Sequence, residues 1–428
     1  MRELPEGWIE TTLGEVIELI IDHRGKTPKK LGGDWATSGY RAISAKTIKN
    51  GVLVNEEKMN ILPENLYRKW MKVEVEYGDV FLTSEAPLGE HLIWKSDEKV
   101  VLSQRIYGIR TNKEILNPFY FNYFLDGDYF QHELKSRESG STVTGIKQSE
   151  LVKTKVIIPP LPEQKAIAAM LSSFDEKIEL LREQNKTLET LAQTIFKEWF
   201  VHFNFPDPHG KPYRNNGGEM VESELGEIPQ GWRVGGIRCL VDHVKKNIKP
   251  FAYPERAYQH YSLPAFDSGK QPEKHNGSEI SSNKYAVVEN CFLVSKLNPS
   301  TPRIWAILNP LENSVCSTEF QVIKPNNYDS FGFVYGVLTS YGLRRELSAR
   351  AHGTSSSHQR VSPADILDAP VALPSDELIK QYSIVVNEML EKIDNNQFQI
   401  QTLSKTRDTL LPKLMSGQVR VQGVHDDS

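Results

Sequence analysis

Only three cysteines, Cys239, Cys291 and Cys316, occur in 428 residues, an odd number with no Cys-x-x-Cys spacing. That supports neither a disulfide framework nor a zinc site, and they read as reduced core residues. No run approaches the roughly 18 uninterrupted apolar residues of a membrane-spanning helix. The opening Met1-Arg2-Glu3-Leu4-Pro5-Glu6 lacks the apolar stretch of a signal peptide, so the expected address is the cytoplasm. Positive charge is not in excess either: 51 Lys plus Arg face 55 Asp plus Glu, a formal net charge of -4. This excludes a uniformly basic nucleic-acid binder and leaves local basic loops open. The remaining composition, 39% apolar and 25% charged, is that of a globular chain. At about 150 residues per domain the length allows roughly three units with cores of their own.

What is present is a repeat. Leu4-Pro5-Glu6-Gly7-Trp8 returns as Ile228-Pro229-Gln230-Gly231-Trp232. Asp22-His23-Arg24-Gly25-Lys26-Thr27-Pro28 has its counterpart in Asp242-His243-Val244-Lys245-Lys246 up to Lys249-Pro250. Phe81-Leu82-Thr83-Ser84 pairs with Phe292-Leu293-Val294-Ser295, Gly140-Ser141-Thr142 with Gly353-Thr354-Ser355, and Ile157-Ile158-Pro159 with Ala372-Leu373-Pro374. Pro374 follows Pro159 by 215 residues, and the same offset carries Lys177-Ile178 onto Lys392-Ile393 and Thr187-Leu188 onto Thr402-Leu403.

Each repeat changes texture once. Residues 1–158 and 228–373 mix short β-rich runs with Gly and Pro punctuation; the runs are Val73-Glu74-Val75, Val80-Phe81-Leu82, Val156-Ile157-Ile158, Ala286-Val287-Val288 and Phe292-Leu293-Val294. With aromatic-rich helical stretches such as residues 118–124, they predict an α/β domain in each repeat. Residues 159–204 instead space Ile167, Leu171, Phe174, Ile178, Leu181, Asn185, Leu188, Ala192, Ile195 and Trp199 in alternating steps of four and three. Residues 374–415 do the same with Tyr382, Val386, Met389, Ile393, Asn396, Ile400, Leu403, Arg407, Leu410 and Leu414. That is a coiled-coil seam, on helices of roughly 40 residues or about 60 Å.

Either stripe alone would stay in water, so the two are expected to bury each other. A two-fold relation between repeats sets them antiparallel, with residues 205–227 as connector and a tail, 416–428, returning toward the N-terminus. The expected fold class is therefore mixed α/β: two α/β domains separated by two long antiparallel coiled-coil helices in a pseudo-two-fold repeat. Asn185 and Asn396 admit two readings, a register-fixing buried Asn or a polar position facing another subunit. Trp199, Phe200 and Phe203 read as core or as an aromatic anchor for a partner.

Four elements then occur in an order that resembles the specificity subunit of type I restriction-modification systems, across essentially the whole chain. They are Leu4-Pro5-Glu6-Gly7-Trp8; Pro159-Pro160-Leu161-Pro162-Glu163-Gln164; Trp199-Phe200-Val201-His202-Phe203-Asn204-Phe205-Pro206-Asp207 with Gly210-Lys211-Pro212-Tyr213 and Gly217-Gly218-Glu219-Met220-Val221; and Leu410-Leu411-Pro412-Lys413-Leu414-Met415-Ser416-Gly417. Leu373-Pro374-Ser375-Asp376-Glu377-Leu378 departs from the family's Pro-Leu-Pro-Glu-Gln pattern and leaves the start of the second helix open.

The resemblance implies two target-recognition domains, each reading one half of a bipartite, asymmetric site in double-stranded DNA. It implies that the helices act as a ruler and as the dock for two methyltransferase subunits that make N6-methyladenine. Two motor/endonuclease subunits would join them, with S-adenosylmethionine and ATP on the partner subunits, no cofactor on this chain and no membrane attachment. Two domains on a stiff spacer also suit the reading of half-sites in phase, because base edges return to one face of DNA about every 34–36 Å.

Readout needs bidentate donors or hydroxyls for base edges and Lys or Arg for phosphates. The candidates in the first repeat are Arg24, Lys26, Lys29, Lys30, Arg105, Arg137, Ser141, Thr142 and Lys147. In the second they are Lys245, Lys246, Lys249, Arg350, His352, Thr354, Ser355, Ser356, His358 and Arg360. For each basic residue the alternative is a plain solvated charge.

Catalytic signatures are scarce. Asn298-Pro299-Ser300-Thr301 lacks the second Pro and the aromatic of the adenine methyltransferase motif, and Gly140 through Lys147 only imitates a phosphate loop. Pro206-Asp207 has no Asp/Glu-x-Lys at a usable distance and reads as a connector. His23 and His243 lack the company a metal site requires and read as structural or DNA-facing. The chain is expected to be a recognition subunit, not an enzyme. The rival reading is a coiled-coil structural adaptor whose end domains bind proteins.

Overall fold

Strands buried on both faces are rich in apolar residues, and Val80–Ser84, Ile106–Thr111, Cys291–Ser295 and Phe320–Pro325 become the middle strands of two sheets. The structure is a computed structural model that describes residues 4–140, 144–351 and 359–421. The chain divides into two compact units, one formed by residues up to Lys177 together with those from Leu403 onward, the other by Ile178–Thr402.

In the first unit the elements are β1 (Ile9–Thr12), β2 (Ile17–Asp22), β3 (Val80–Ser84), β4 (Leu88–Ile93), β5 (Ile106–Thr111), α1 (Pro118–Leu125), α2 (Asp128–Ser136), β6 (Lys155–Ile158) and α3 (Leu161–Phe196). An antiparallel sheet of order β2-β5-β3-β4 forms the frame, and β1 pairs with β6 beside it. The second unit continues with β7 (Arg233–Gly235), β8 (Val241–Val244), β9 (Cys291–Ser295), β10 (Ile304–Ile307), β11 (Phe320–Pro325), α4 (Phe331–Thr339), α5 (Tyr341–Arg350), β12 (Val371–Leu373) and α6 (Asp376–Met415). Its sheet has order β8-β11-β9-β10 and its side pair is β7-β12, the same frame strand for strand. Each unit also carries an accessory sheet built round one parallel pair, Tyr40–Ile43 with Val101–Leu102 in the first and Ala257–Tyr261 with Ser314–Ser317 in the second. It has three strands in the first unit and five in the second. The frame repeats and the accessory layer diverges.

The long helices begin later than the prolines suggest: α3 starts at Leu161, after Pro159-Pro160, and α6 at Asp376, after Pro374-Ser375. At its other end α3 passes at Phe196 into a π-helical turn, Lys197–Val201. Ile167, Leu171, Ile178, Leu181, Asn185, Val386, Asn396, Ile400 and Leu414 are buried, while Phe174, Leu188, Ile195, Trp199, Met389, Ile393, Leu403, Arg407 and Leu410 are half-buried. In the first unit Ile167, Ala168 and Leu171 of α3 share the core with Leu414 and Met415 of α6. Arg407, at a seam position, donates to Asp175 at 2.6 Å, and Tyr123 donates to the same carboxylate at 2.6 Å. In the second unit α3 and α6 run antiparallel: Tyr382 Oη donates to the Ala192 carbonyl at 3.2 Å, and Asn396 Nδ2 donates to Asn185 Oδ1 at 2.8 Å.

The remaining polar atoms of this amide pair, Asn185 Nδ2 and Asn396 Oδ1, are buried without partners. Such a pair costs stability while fixing register. Replacing both Asn residues by Leu is therefore expected to raise stability by about 1–4 kcal/mol. Asn396→Leu alone, which strands Asn185, should lower it by about 1–3 kcal/mol. Opposite signs in thermal melts of the two variants are the check, and a double variant no more stable than the single would sink the argument.

The Pro-Pro-Leu-Pro-Glu-Gln segment is a clamp. Glu163, 6% exposed, accepts from Trp8 Nε1 at 3.1 Å and from both ends of the Arg420 guanidinium at 2.6 and 2.9 Å. Gln164 donates to the carbonyls of Ile115 and Pro159, each at 2.9 Å, and accepts from Asn117 N at 2.8 Å. The tail thereby lies against the N-terminal Trp8, with Leu4 and Val421 packed on the same core. At the 215-residue offset Glu163 and Gln164 become Leu378 and Ile379, both buried in the second unit's core. The departure from the motif there exchanges a polar clamp for an apolar one, and Trp232 packs instead on Phe200, Phe203 and Phe205.

Three expectations are corrected. Cys239 is exposed, on a turn where its Sγ donates to the Gly236 carbonyl at 3.5 Å, whereas Cys291 and Cys316 are buried. Val73-Glu74-Val75 forms no strand, because the Glu74 carbonyl and the Glu76 carboxylate are taken up by Arg110. Of Ala286-Val287-Val288 only Ala286 lies in a strand, Lys284–Ala286.

Candidate nucleic-acid interface

Asp22 ends β2 and organises the first basic loop. Its carboxylate accepts from Arg24 N at 3.0 Å, Nε at 2.9 Å and Nη2 at 2.8 Å, so the guanidinium is fixed 4.0 Å over the Tyr107 ring. Tyr107 Oη donates to the Ile146 carbonyl at 3.0 Å, and Arg24 Nη1 points at the same oxygen at 3.4 Å. The structure thus brings Arg24 to the loop that carries Lys147. Gly145 permits the approach, since a Cβ there would stand 2.8 Å from the Ser84 carbonyl. His23 Nδ1 lies 3.0 Å from the Asp22 carbonyl, and burial and then the charge of Lys26 push the ring below its ordinary pKa of 6.5. His243 is lowered likewise, by burial and then Lys245. Both rings are neutral at pH 7, and among the described residues no group of three or more His, Cys, Asp or Glu could hold a metal.

Between this loop and the accessory sheet opens a cleft of about 780 Å3. Lys26, Lys29, Lys46, Lys58 and Arg105 line it against a single acid, Asp34, and the amides of Asn55, Asn60 and Gln104 stand among them. Lys26 Nζ donates to the Trp70 carbonyl at 2.7 Å; burial and then Lys72 lower its pKa. Arg105 is paired with Glu85 at 2.9 Å and Lys58 with Glu57 at 3.8 Å, so Lys26, Lys29 and Lys46 carry the excess positive field that attracts phosphate. Sequence reasoning missed Lys46, Lys58 and the three amides, since they stand singly among unrelated neighbours and only folding assembles them.

The second unit holds a cleft of about 1030 Å3 along its own accessory sheet, at the end where its parallel strands begin (Tyr258, Ser314), whereas the first cleft lies where its parallel strands end (Ala42, Ser103). Lys249, Arg256 and Lys324 line it with Glu289 as the acid, together with Asn247, Tyr253 and Tyr258. Arg256 lies 4.3 Å over the Tyr253 ring, and the Tyr258 hydroxyl is buried without a partner. Lys245 and Lys246 sit exposed on the strand approach to this cleft without lining it. The interleaved Tyr253-Pro254-Glu255-Arg256 was a visible signal that the sequence reading passed over.

The other candidates divide by chemistry. The remaining arginines are held by carboxylates: Arg105 by Glu85 at 2.9 Å, Arg137 by Glu133 at 3.4 Å, Arg350 by Glu346 at 2.8 Å and Arg360 by Glu319 at 3.0 Å. Lys29, Lys30, Lys147, Lys245, Lys246 and Lys249 have no carboxylate partner among the described residues. Ser141, Thr142, His352, Thr354, Ser355, Ser356 and His358 lie outside the described residues.

One α/β frame is thus used twice, with a different cation-lined cleft in each copy. Comparison with known proteins gives the likeness. Residues 5–190 match the family described as the type I restriction modification DNA specificity domain. The type I restriction enzyme MjaIX specificity subunit of Methanocaldococcus jannaschii is 28% identical over 422 residues, covering 92% of this chain and 86% of that one. The MjaVIII specificity subunit of the same organism is 24% identical over 99% of this chain and 95% of that one. The crystal structure of a type I restriction-modification S subunit from M. genitalium shares the fold, with a TM-score of 0.58 at 16% identity over 96% of this chain and 98% of that one. Along nearly its whole length the chain is thus similar to proteins named type I restriction enzyme specificity subunits. No helix among the described residues is long and apolar enough to cross a membrane.

Proposed function

We propose that the two units read the two halves of one bipartite, asymmetric duplex site. In this reading α3 and α6 set the gap between the half-sites and dock two methyltransferase subunits that make N6-methyladenine; two motor/endonuclease subunits join that core. S-adenosylmethionine and ATP belong to those partners, and this chain contributes position alone. The observation that carries the proposal is one frame used twice with a cation-lined cleft beside each accessory sheet, the two clefts differing in place and lining, as the reading of unlike sequences requires. Leu180 and Leu191 on α3 and Ile384 and Phe398 on α6 are exposed, an apolar face of the kind subunit cores are made from.

The decisive experiment maps N6-methyladenine genome-wide in cells carrying the neighbouring methyltransferase gene, with and without this chain. A split motif with a fixed gap that vanishes without the chain is expected. Identical maps would overturn the proposal and leave the protein-binding adaptor.

The phosphate-holding part is tested by replacing Lys245, Lys246 and Lys249 with Ala. Each phosphate contact contributes about 0.9 to the slope of log affinity against log salt, so losing three should flatten it by roughly 2.7 and weaken binding at low salt. An unchanged affinity and slope would remove this loop from the interface.

A further inference from the structure

Contacts to phosphate position a protein but carry no sequence information, so readout needs side chains in the cleft that can face base edges. We infer that the first unit reads its half-site through the tip Gln104-Arg105, with Gln104 facing an adenine edge and Arg105 a guanine edge. This rests on the DNA-reading proposal above.

The tip lies where the chain leaves the accessory strand Val101–Leu102 and enters β5, and both residues line the cleft. Its backbone is pinned on either side. Ala45 N donates to the Gln104 carbonyl at 3.2 Å, Ser84 N donates to the Arg105 carbonyl at 2.9 Å, and Ser103 N donates to the Ile43 carbonyl at 2.8 Å. Groups fixed in this way keep their side chains in one geometry, which bidentate recognition requires. Arg105 adopts this place at φ +63°, in the left-handed region that Gly occupies without penalty. A long cationic side chain held against backbone preference, at the rim of a cleft, marks a place where the side chain is used.

Neither side chain is committed to the fold. The Gln104 amide bonds to no described residue, and the Arg105 guanidinium is held by Glu85 in a pair whose side chains are 44% and 37% exposed. An exposed pair of this kind exchanges readily for another acceptor. Arg donates bidentately to guanine O6 and N7, and Gln pairs with adenine N6 and N7.

The second unit supplies the comparison. Ile106 faces Thr83 in the first sheet and Gln321 faces Val294 in the second, so the pairing register sets Glu319 where the first unit has Gln104. Glu319 accepts only, whereas the Gln104 amide both donates and accepts. Glu319 does not line the second cleft and holds Arg360 at 3.0 Å, so the second unit does not use this position as the first does.

The test is the methylation map of cells carrying the methyltransferase subunit with the full chain bearing Arg105→Gly or Gln104→Ala. Gly adopts the positive φ freely, so Arg105→Gly should melt at or above the wild-type temperature, which separates lost reading from lost folding. Each variant is expected to lose selectivity at one base pair of one half-site by roughly 5- to 150-fold, the discrimination of one bidentate pair, with the other half unchanged. Unchanged selectivity in both variants would overturn the inference. So would an equal loss of affinity for every sequence with a salt slope shallower by about one, which is the signature of a phosphate contact. If the wild-type chain itself directs no split motif, the DNA-reading proposal fails, and this assignment falls with it.

Discussion

Arg110→Ala is expected to destabilise the first unit by about 3–5 kcal/mol, the cost of leaving one member of a buried ion pair alone. Arg110 stands near the end of β5, the strand that begins at the Gln104-Arg105 tip. Its Nε and Nη2 each donate to the Asp79 carboxylate at 2.9 Å, and Nη2 also donates to the Glu74 carbonyl at 2.8 Å. Asp79 is 1% exposed, so without Arg110 its charge would keep only backbone bonds such as that from Glu76 N at 2.8 Å. The double variant Arg110→Met with Asp79→Leu removes both charges and should recover most of the loss, because replacing a whole buried pair by apolar residues is often neutral. Amide exchange of β3 and β5 reports on this unit separately from the second. Protection within about 1 kcal/mol of wild type in the single variant would mean that water reaches Asp79 and the pair contributes little.

What was legible in the sequence is what repeats locally. A seam of steps of four and three survives in sequence because each residue meets its partner through the helix period alone, and the frame showed through landmarks kept in order on both sides of a constant offset. The clefts did not show, for a physical reason. Lys26 and Lys29, Lys46 and Lys58, and Gln104-Arg105 come from three separate stretches; the parallel pairing of Tyr40–Ile43 with Val101–Leu102 joins the last two, and the Lys26 bond to the Trp70 carbonyl brings in the first. The second of these strands has two residues, too short to display any alternation. Composition also hides which basic residues are free. Arg137 and Arg350 look as available in the sequence as Lys147 and Lys249, yet the arginines are paired with carboxylates one helical turn away.

The helices give the prediction with the largest geometric consequence. Inserting seven residues into α3 near Ile178 and seven into α6 near Leu403 keeps the seam in phase, because seven is two turns of a 3.5-residue repeat. At 1.5 Å per residue each helix lengthens by about 10.5 Å, close to three base pairs at 3.4 Å each. The methylated motif is therefore expected to keep both half-sites and to widen its gap by about three base pairs. Inserting five residues instead rotates every following seam residue by about 140°, at 3.6 residues per turn, away from its partner and should abolish methylation through misfolding, so the contrast between seven and five separates a ruler from a mere tether. An unchanged gap with seven would mean that something other than these helices holds the two units apart on DNA. Altered half-sites would mean that the recognition clefts depend on the helices for their shape. Burial of Ile167 and Leu171 in one core, and of Ala192 and Phe196 in the other, ties each end of α3 to its own unit, so added length falls between two anchored ends.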